Sequence, residues 1–175
     1  MQLFSKKLSE VNLVLLVAAF LTLTGNFTFL EKTLQIYPLS ENWLFVGSLF
    51  LFLFTFLSAL LIVLCFRWSL KPILILLLLI SAVLTYSTNN FGVVFDHNMI
   101  TNTFETDTSE FSDLVSIKSL IYFCLLGLIP STYVWKIQLV KASIKTQLWQ
   151  RIKMLLALIV VFVIVVLSFS KHYSS

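Results

Sequence analysis

The sequence predicts an all-α fold, a polytopic membrane protein with five transmembrane helices and an amphipathic helical segment outside the membrane between helices 3 and 4. Three observations lead to this fold class. Of the 175 residues, 59% are hydrophobic and only 11% are charged, whereas charged residues make up about a quarter of a soluble domain. The hydrophobic residues are gathered in five runs. Most lysines and arginines fall between alternate runs.

The five runs approach or reach the length of about 20 residues that crosses a hydrocarbon core. Lipid offers no hydrogen-bond partner to a peptide group, so each run must be helical. The predicted helices cover residues of about 11–29, 43–66, 72–88, 118–138 and 152–170. They form a single transmembrane domain over residues 1–175, with no internal repeat and no second soluble domain.

Helix 1 follows Lys6 and Lys7, as the apolar part of a signal peptide would. However, no small-x-small cleavage site follows it, and polar residues such as Thr24 and Asn26 lie where that apolar part should end. We therefore expect an uncleaved membrane helix. The two cysteines, Cys65 and Cys124, lack metal-ligand spacing and are expected to be small buried residues.

The connections between the helices carry turn and helix-start signals. Pro38 limits helix formation before helix 2. The short turn RWSLKP places Pro72 in the first turn of helix 3, where its missing N–H costs nothing, so helices 2 and 3 are expected to form a tight antiparallel hairpin. Pro130 predicts a kink inside helix 4. The stretch WKIQLVKASIKTQLWQRIK is typical of helix extensions or of a helix at headgroup level.

The distribution of cations predicts the orientation. With the N-terminus inside, nine of the 12 lysines and arginines lie in inner segments and three in outer ones. This positive-inside bias places the N-terminus in the cytoplasm and the C-terminus outside. Most of these cations would then face anionic headgroups. The net charge of +4 therefore gives no reason to expect a nucleic-acid partner.

The stretch from Asn89 to Lys118, called the outer segment below, is polar and acidic between two apolar helices. Its part DHNMITNTFETDTSE holds four of the eight acidic residues of the chain. Apolar residues at helical spacing would share an interfacial face: Ile100, Phe104, Phe111 and Leu114. Asn102, Thr106 and Glu110 recur every four residues and line a separate stripe. A capping-box-like spacing from Asp107 to Glu110 leaves open whether the segment forms one helix or two.

Two interpretations of that stripe remain open from the residues alone. In the first, it is a lipid headgroup site: Glu110 pairs with an ammonium, while Asn102 and Thr106 bond phosphate or ester oxygens. In the second, these residues belong to an amphipathic loop that faces water. His97 beside Asp96 suggests no metal site, because the chain has only 2 histidines. No nucleophile–base pattern or phosphate loop is present in the sequence.

The segment SAVLTYSTNNFGVVFDHNMITNTFETDTSEFSDLVS resembles the N-terminal domain of the lipid A phosphoethanolamine transferases, which include the mobile colistin-resistance enzymes. The similarity extends to NF at Asn26, RWSLKP before helix 3 and LLGLIPS in helix 4, and so covers essentially the whole chain. Phe91 stands where the family usually has Tyr. The matching positions are Tyr86, Gly92, Val93, Asp96, Met99, Ile100, Asn102, Thr106, Asp107 and Glu110.

The resemblance implies a function. In that family five membrane helices precede a periplasmic, alkaline-phosphatase-like domain, which carries a nucleophilic Thr and zinc and transfers phosphoethanolamine from phosphatidylethanolamine to lipid A. Residues matching Asn102, Thr106 and Glu110 are implicated in holding the donor. We thus expect a chain of the bacterial inner membrane whose outer segment is periplasmic, and whose catalytic domain would follow Ser175. The chain itself is then expected to hold no catalytic residue, no cofactor and no metal.

A second class of function stays open beside this one. The chain would then be a stand-alone membrane protein that binds lipid or a partner without catalysis. The coding sequence downstream of Ser175 separates the two hypotheses, because only the first requires a periplasmic Thr nucleophile and zinc ligands there.

Overall fold

The computed structural model of the protein describes residues 7–91, 116–140 and 142–169. In these ranges the chain forms helices joined by short turns, and the predicted all-α membrane fold is confirmed. The helices are α1 (Glu10–Gly25), α2 (Phe27–Ile36), α3 (Leu39–Leu64), α4 (Leu70–Phe91), α5 (Ile117–Lys136) and α6 (Ile144–Ser168). Of these, α3 to α6 are each long and apolar enough to span a membrane, and α1 with α2 makes a fifth, bent candidate.

The helices pack side by side in the order α5, α4, α1, α3, α6. α1 lies in the middle, so its side chains are buried on more than one side: Leu13, Ala18 and Thr22 are fully buried. A helix that is apolar all round suits such a position. The core of the bundle joins α1 to the facing sides of α3 and α4, through residues such as Leu61 and Leu74.

The prediction that the second and third predicted helices form a tight hairpin is wrong. Their helices, α3 and α4, are joined by a short turn in which Ser69 bonds the backbone N–H and carbonyl of Phe66. Pro72 does lie in the first turn of α4. However, α1 packs against both α3 and α4 and lies between them. This arrangement buries the long apolar surface of α1. A hairpin of α3 and α4 alone would leave that surface exposed to lipid.

The first predicted helix, over residues 11–29, is broken. α1 ends at Gly25, and α2 leaves it at an angle of 57°. The side-chain amide of Asn26 donates to the carbonyl of Thr22 and so closes the last turn of α1. Phe27, Phe29 and Ile36 of α2 are exposed beside the charged Glu31 and Lys32, as in a helix lying at the membrane surface.

Helix α5 contains a π-helical turn over Phe123–Leu128, directly before Pro130. The backbone N–H of Ile129 bonds the carbonyl of Cys124, five residues earlier. The register shift lies where Pro130 removes a backbone donor, and π turns are a known way for a helix to absorb such a break. The distortion that Pro130 predicts is thus a change of helical register on its N-terminal side.

α6 begins at Ile144, earlier than the predicted residue 152, because Ser143 caps it by accepting the Thr146 N–H at 3.2 Å. Its first turns place Arg151 beside the start of α1 and the end of α3, at the end of the bundle opposite the outer segment. Arg151 Nη2 donates to Glu10 Oε2 at 2.7 Å, and both side chains are buried. Its Nη1 donates to the carbonyls of Ile62 and Cys65 at the end of α3. One side chain thus joins α1, α3 and α6.

Candidate functional site: the polar end of the bundle

The polar end of the bundle is the end at which α4 stops and α5 starts, on either side of the outer segment. α4 changes there from leucine-rich sequence to TYSTNN. Two of its polar side chains bond back to backbone carbonyls one turn earlier in the helix. Thr88 Oγ1 donates to the Leu84 carbonyl and Asn90 Nδ2 to the Tyr86 carbonyl, each at 2.9 Å.

Ser116 marks the start of α5. Its hydroxyl accepts the Ser119 N–H at 3.1 Å, and the Ser119 hydroxyl accepts the Ser116 N–H at 3.0 Å. This reciprocal capping box satisfies two backbone donors at once. The capping box therefore defines the first residue of α5.

The two ends of the outer segment are tied to each other. Tyr86 Oη lies 2.8 Å from Ser116 Oγ, within hydrogen-bond distance. The Tyr86 ring also packs edge-on against Tyr122, with 5.7 Å between ring centroids. Lys118 Nζ donates to Asn90 Oδ1. These contacts join α4 to α5, so the last turns of α4 and the first turn of α5, which flank residues 92–115 in the sequence, lie side by side.

α2 adds a third wall to this end. Thr28 Oγ1 donates to Asn89 Oδ1 and so ties the bent helix to the last turn of α4. The result is a cluster of hydroxyl and amide groups from α2, α4 and α5 with one cation, Lys118. The bond of Lys118 to Asn90 belongs to the tie between α4 and α5.

The predicted headgroup residues Asn102, Thr106 and Glu110 lie outside the described residues, as do Asp96 and His97. Of the positions that carry the resemblance, Tyr86 is described, and it forms the tie to Ser116. Sequence reasoning missed Ser116 and Asn89. The N-cap signal S-x-x-S before an apolar run could have found Ser116. No local signal indicates the partner of Asn89, because Thr28 is far away in the sequence.

Within residues 7–91, 116–140 and 142–169, no group of three or more His, Cys, Asp or Glu side chains is placed to hold a metal ion. The described residues therefore do not offer the ligand set of a structural or catalytic zinc site.

The architecture and its polar end define a multi-pass helical membrane domain with a long segment inserted between two spans. The sequence profile of the phosphoethanolamine transferase EptA/EptB family matches residues 53–175. The chain belongs to this family, as the resemblance predicted.

Individual relatives agree with this assignment. The chain is 34% identical to phosphatidylethanolamine transferase Mcr-1 of Escherichia coli, over 98% of this chain and 32% of that protein. It is 39% identical to Mcr-2 of Escherichia coli over 68% of this chain and 22% of that protein. Phosphoethanolamine transferase EptA of Escherichia coli K12 is 25% identical over 93% of this chain and 30% of that protein. The chain thus spans about a third of the length of the first of these relatives.

The fold also occurs in a solved structure. The integral membrane protein lipooligosaccharide phosphoethanolamine transferase A of Neisseria meningitidis superposes with a TM-score of 0.88 over 97% of this chain and 32% of that chain. Only 18% of the aligned residues are identical. This similarity therefore concerns the arrangement of the helices.

Proposed function

We propose that this chain is the membrane-anchoring and donor-binding domain of a phosphoethanolamine transferase that modifies lipid A, and that phosphatidylethanolamine is the donor. Membership of the family supports the transferase. The names of Mcr-1 and Mcr-2, both phosphatidylethanolamine transferases, support the donor. The acceptor, and the polymyxin resistance that modified lipid A would bring, rest on the resemblance of the outer segment.

The observation that carries the proposal is the tie between the two ends of the outer segment. Tyr86 and Ser116 hold the flanks of residues 92–115 together, so the chain on both sides of the acidic part is anchored at the polar end of the bundle. Attachment at both ends lowers the entropy that the segment loses when its groups converge on a ligand. A headgroup at this interface would then meet Glu110 through its ammonium, and Asn102 and Thr106 through its phosphate or ester oxygens.

The orientation belongs to the same proposal. Nine of the 12 cations lie on the side opposite the outer segment, so the positive-inside rule places the outer segment in the periplasm and the domain in the inner membrane. A catalytic domain with its nucleophilic Thr and zinc would lie on the same periplasmic side in the full-length protein. The donor would thus be held next to the chemistry.

The donor site is tested by joining the chain to the periplasmic domain of a family member and measuring phosphoethanolamine transfer at varied phosphatidylethanolamine. Glu110→Gln removes one partner of a charge-assisted hydrogen bond, a contact typically worth about 1.5–3 kcal/mol. We expect the donor concentration for half-maximal rate to rise roughly tenfold to a hundredfold. Asn102→Ala and Thr106→Ala should each cost less, because their bonds involve a neutral protein group.

Asp113→Ala is the matched control, since it removes a nearby acid that lies outside the family pattern. It should behave like the wild type at equal membrane expression. Wild-type donor dependence in all three site variants would show that the stripe is only a solvated face, and the donor-binding proposal would be wrong.

A further inference from the structure

A second polar site lies at the opposite end of the bundle. It is a pocket of about 560 Å³ lined by Lys7, Lys71, Lys136 and residues 137–140. This volume falls within the range of about 300–1,000 Å³ that is usual for ligand clefts. No carboxylate is among its lining residues. We call it the lysine pocket.

The pocket is built by three separate parts of the chain that are bonded together. The backbone of Leu8 donates to the Gln138 carbonyl at 3.0 Å and accepts from the Val140 N–H at 2.9 Å, as a short parallel bridge. Lys71 Nζ donates to the carbonyls of Trp135 and Ile137, each at 2.8 Å. The start of the chain, the start of α4 and the end of α5 are thereby held in place, and each contributes one lysine.

The three lysines have donors to spare. An ammonium group carries three donors, and Lys71 uses two of them on the carbonyls at the end of α5. Lys7 and Lys136 are exposed, and neither forms a hydrogen bond or an ion pair with another described residue. At this end of the described bundle the carboxylate is Glu10, and Arg151 pairs with it. The pocket therefore carries uncompensated positive charge.

Exposed tryptophans place the pocket at headgroup depth. Trp68 in the turn before α4 and Trp135 in the last turn of α5 are 87% and 71% exposed. Tryptophan is enriched at the level of the headgroups in membrane proteins. Ile137, Leu139 and Val140 are apolar residues of the same lining, so the pocket offers a ligand both lysine ammonium groups and apolar residues.

We propose that the lysine pocket binds the phosphate of an anionic phospholipid whose headgroup has no ammonium. A phosphodiester with a net negative charge satisfies the free lysine donors, whereas a zwitterionic headgroup would bring an ammonium towards three cations. Basic pockets between membrane helices are a general form of anionic-lipid site. The site is separate from the proposed donor site, because it lies at the other end of the helices.

The test uses the full 175-residue chain in a zwitterionic detergent and counts bound lipids by native mass spectrometry. Phosphatidylglycerol and phosphatidylcholine are added in equal amounts. The pocket variant is Lys7→Gln with Lys136→Gln. Lys71 is left unchanged because it also bonds the end of α5. Since each Lys near an anionic surface contributes about fivefold to binding, removal of two should weaken phosphatidylglycerol binding roughly 30-fold.

The matched control is Lys145→Gln with Lys153→Gln, which removes the same charge from the same end but outside the pocket. It should keep the preference for phosphatidylglycerol, as should the charge-retaining variant Lys7→Arg with Lys136→Arg. Equal loss in the pocket and control variants would overturn the proposal in favour of diffuse attraction. Displacement of the lipid by inorganic phosphate would overturn the assignment to a lipid. If the Gln pair fails to fold, the wild type alone decides. Absence of a preference for phosphatidylglycerol would overturn the proposal. A preference for phosphatidylglycerol that inorganic phosphate does not displace would support it.

Discussion

At the scale of single residues, Arg151 links three helices of the described bundle through its polar contacts. Its guanidinium bonds Glu10 and two carbonyls at the end of α3, and it lies 5.2 Å from the centre of the Phe66 ring. The carbonyls of a helix end need partners once they leave water. A planar guanidinium with five donors supplies them and neutralises Glu10 at the same time.

Arg151→Met is expected to destabilise the chain by about 3–5 kcal/mol, because it leaves Glu10 buried without its cation. Glu10→Gln with Arg151→Met should recover a large part of this loss, since no uncompensated charge then remains. Unfolding by denaturant in detergent micelles would measure both changes. Lys145→Met, an exposed cation on the same helix, is the control and should shift the stability by less than about 0.5 kcal/mol. Equal effects of Arg151→Met and Lys145→Met would show that the buried pair is not a structural link.

The pairing of Arg151 with Glu10 was not predictable from the sequence. The sequence predicts only that Arg151 belongs to the cation-rich side of the membrane. No local pattern distinguishes a cation that enters the bundle from one that faces headgroups. Tyr86 differs in this respect. The family pattern indicated its importance, and the structure supplies the reason, its hydrogen bond to Ser116.

At the scale of elements, apolar length identified the helices because lipid leaves a long apolar run no alternative to helix. The breaks were harder to predict. Gly25 followed by Asn26 is a helix-ending pair, but the continuing apolar sequence of Phe27 and Phe29 concealed the bend between α1 and α2. Pro130 correctly indicated a distortion of α5, while its form as a π turn depends on how α5 packs on α4.

Gly127 lies at a close approach of α5 to α4. A Cβ at this position would lie 3.2 Å from Ala82 Cβ and 3.3 Å from a Leu79 methyl group on α4. Gly127→Val should therefore push α5 away from α4 and cost about 1–3 kcal/mol, as overpacked cores do. Thermal unfolding in detergent is the measurement.

Gly47→Val is the matched control for this change. Gly47 lies in α3, and a Cβ there meets nothing within 4 Å. We expect little or no loss of stability from it. If Gly47→Val were as harmful as Gly127→Val, the loss would come from valine in a membrane helix and the close α4–α5 contact would not explain it.

At the scale of the whole molecule, the order of the helices in space was beyond the sequence. Chain order and a short turn favoured a hairpin of α3 and α4, whereas burial of α1 between them decides the real arrangement. The order of the helices in space depends on which apolar faces fit together. A hydrophobic run without a polar face does not show which of its sides contacts another helix. The fold class and the family, by contrast, were predicted and are confirmed. The donor residues Asn102, Thr106 and Glu110 remain a prediction.

The orientation of the whole molecule has its own test. Since nine of the 12 cations lie on one side, a reporter that is active only in the periplasm should be active when fused after Ser175 and silent when fused after Lys141. Activity after Lys141 would invert the topology. The outer segment would then face the cytoplasm, away from any periplasmic catalytic domain.

Phosphatidylethanolamine, on the proposed function, is held by the outer segment at the polar end of the bundle. The most direct test of this binding is a phosphatidylethanolamine with a photoreactive group near the headgroup, cross-linked to the chain in a bilayer and mapped by mass spectrometry. The account predicts labels concentrated on residues 92–115 and on the adjoining ends of α4 and α5. It also predicts that a phosphatidylcholine probe labels them weakly, because a choline donates no hydrogen bond to Glu110. Labels from both probes spread evenly along the helices, or gathered at the lysine pocket, would contradict it.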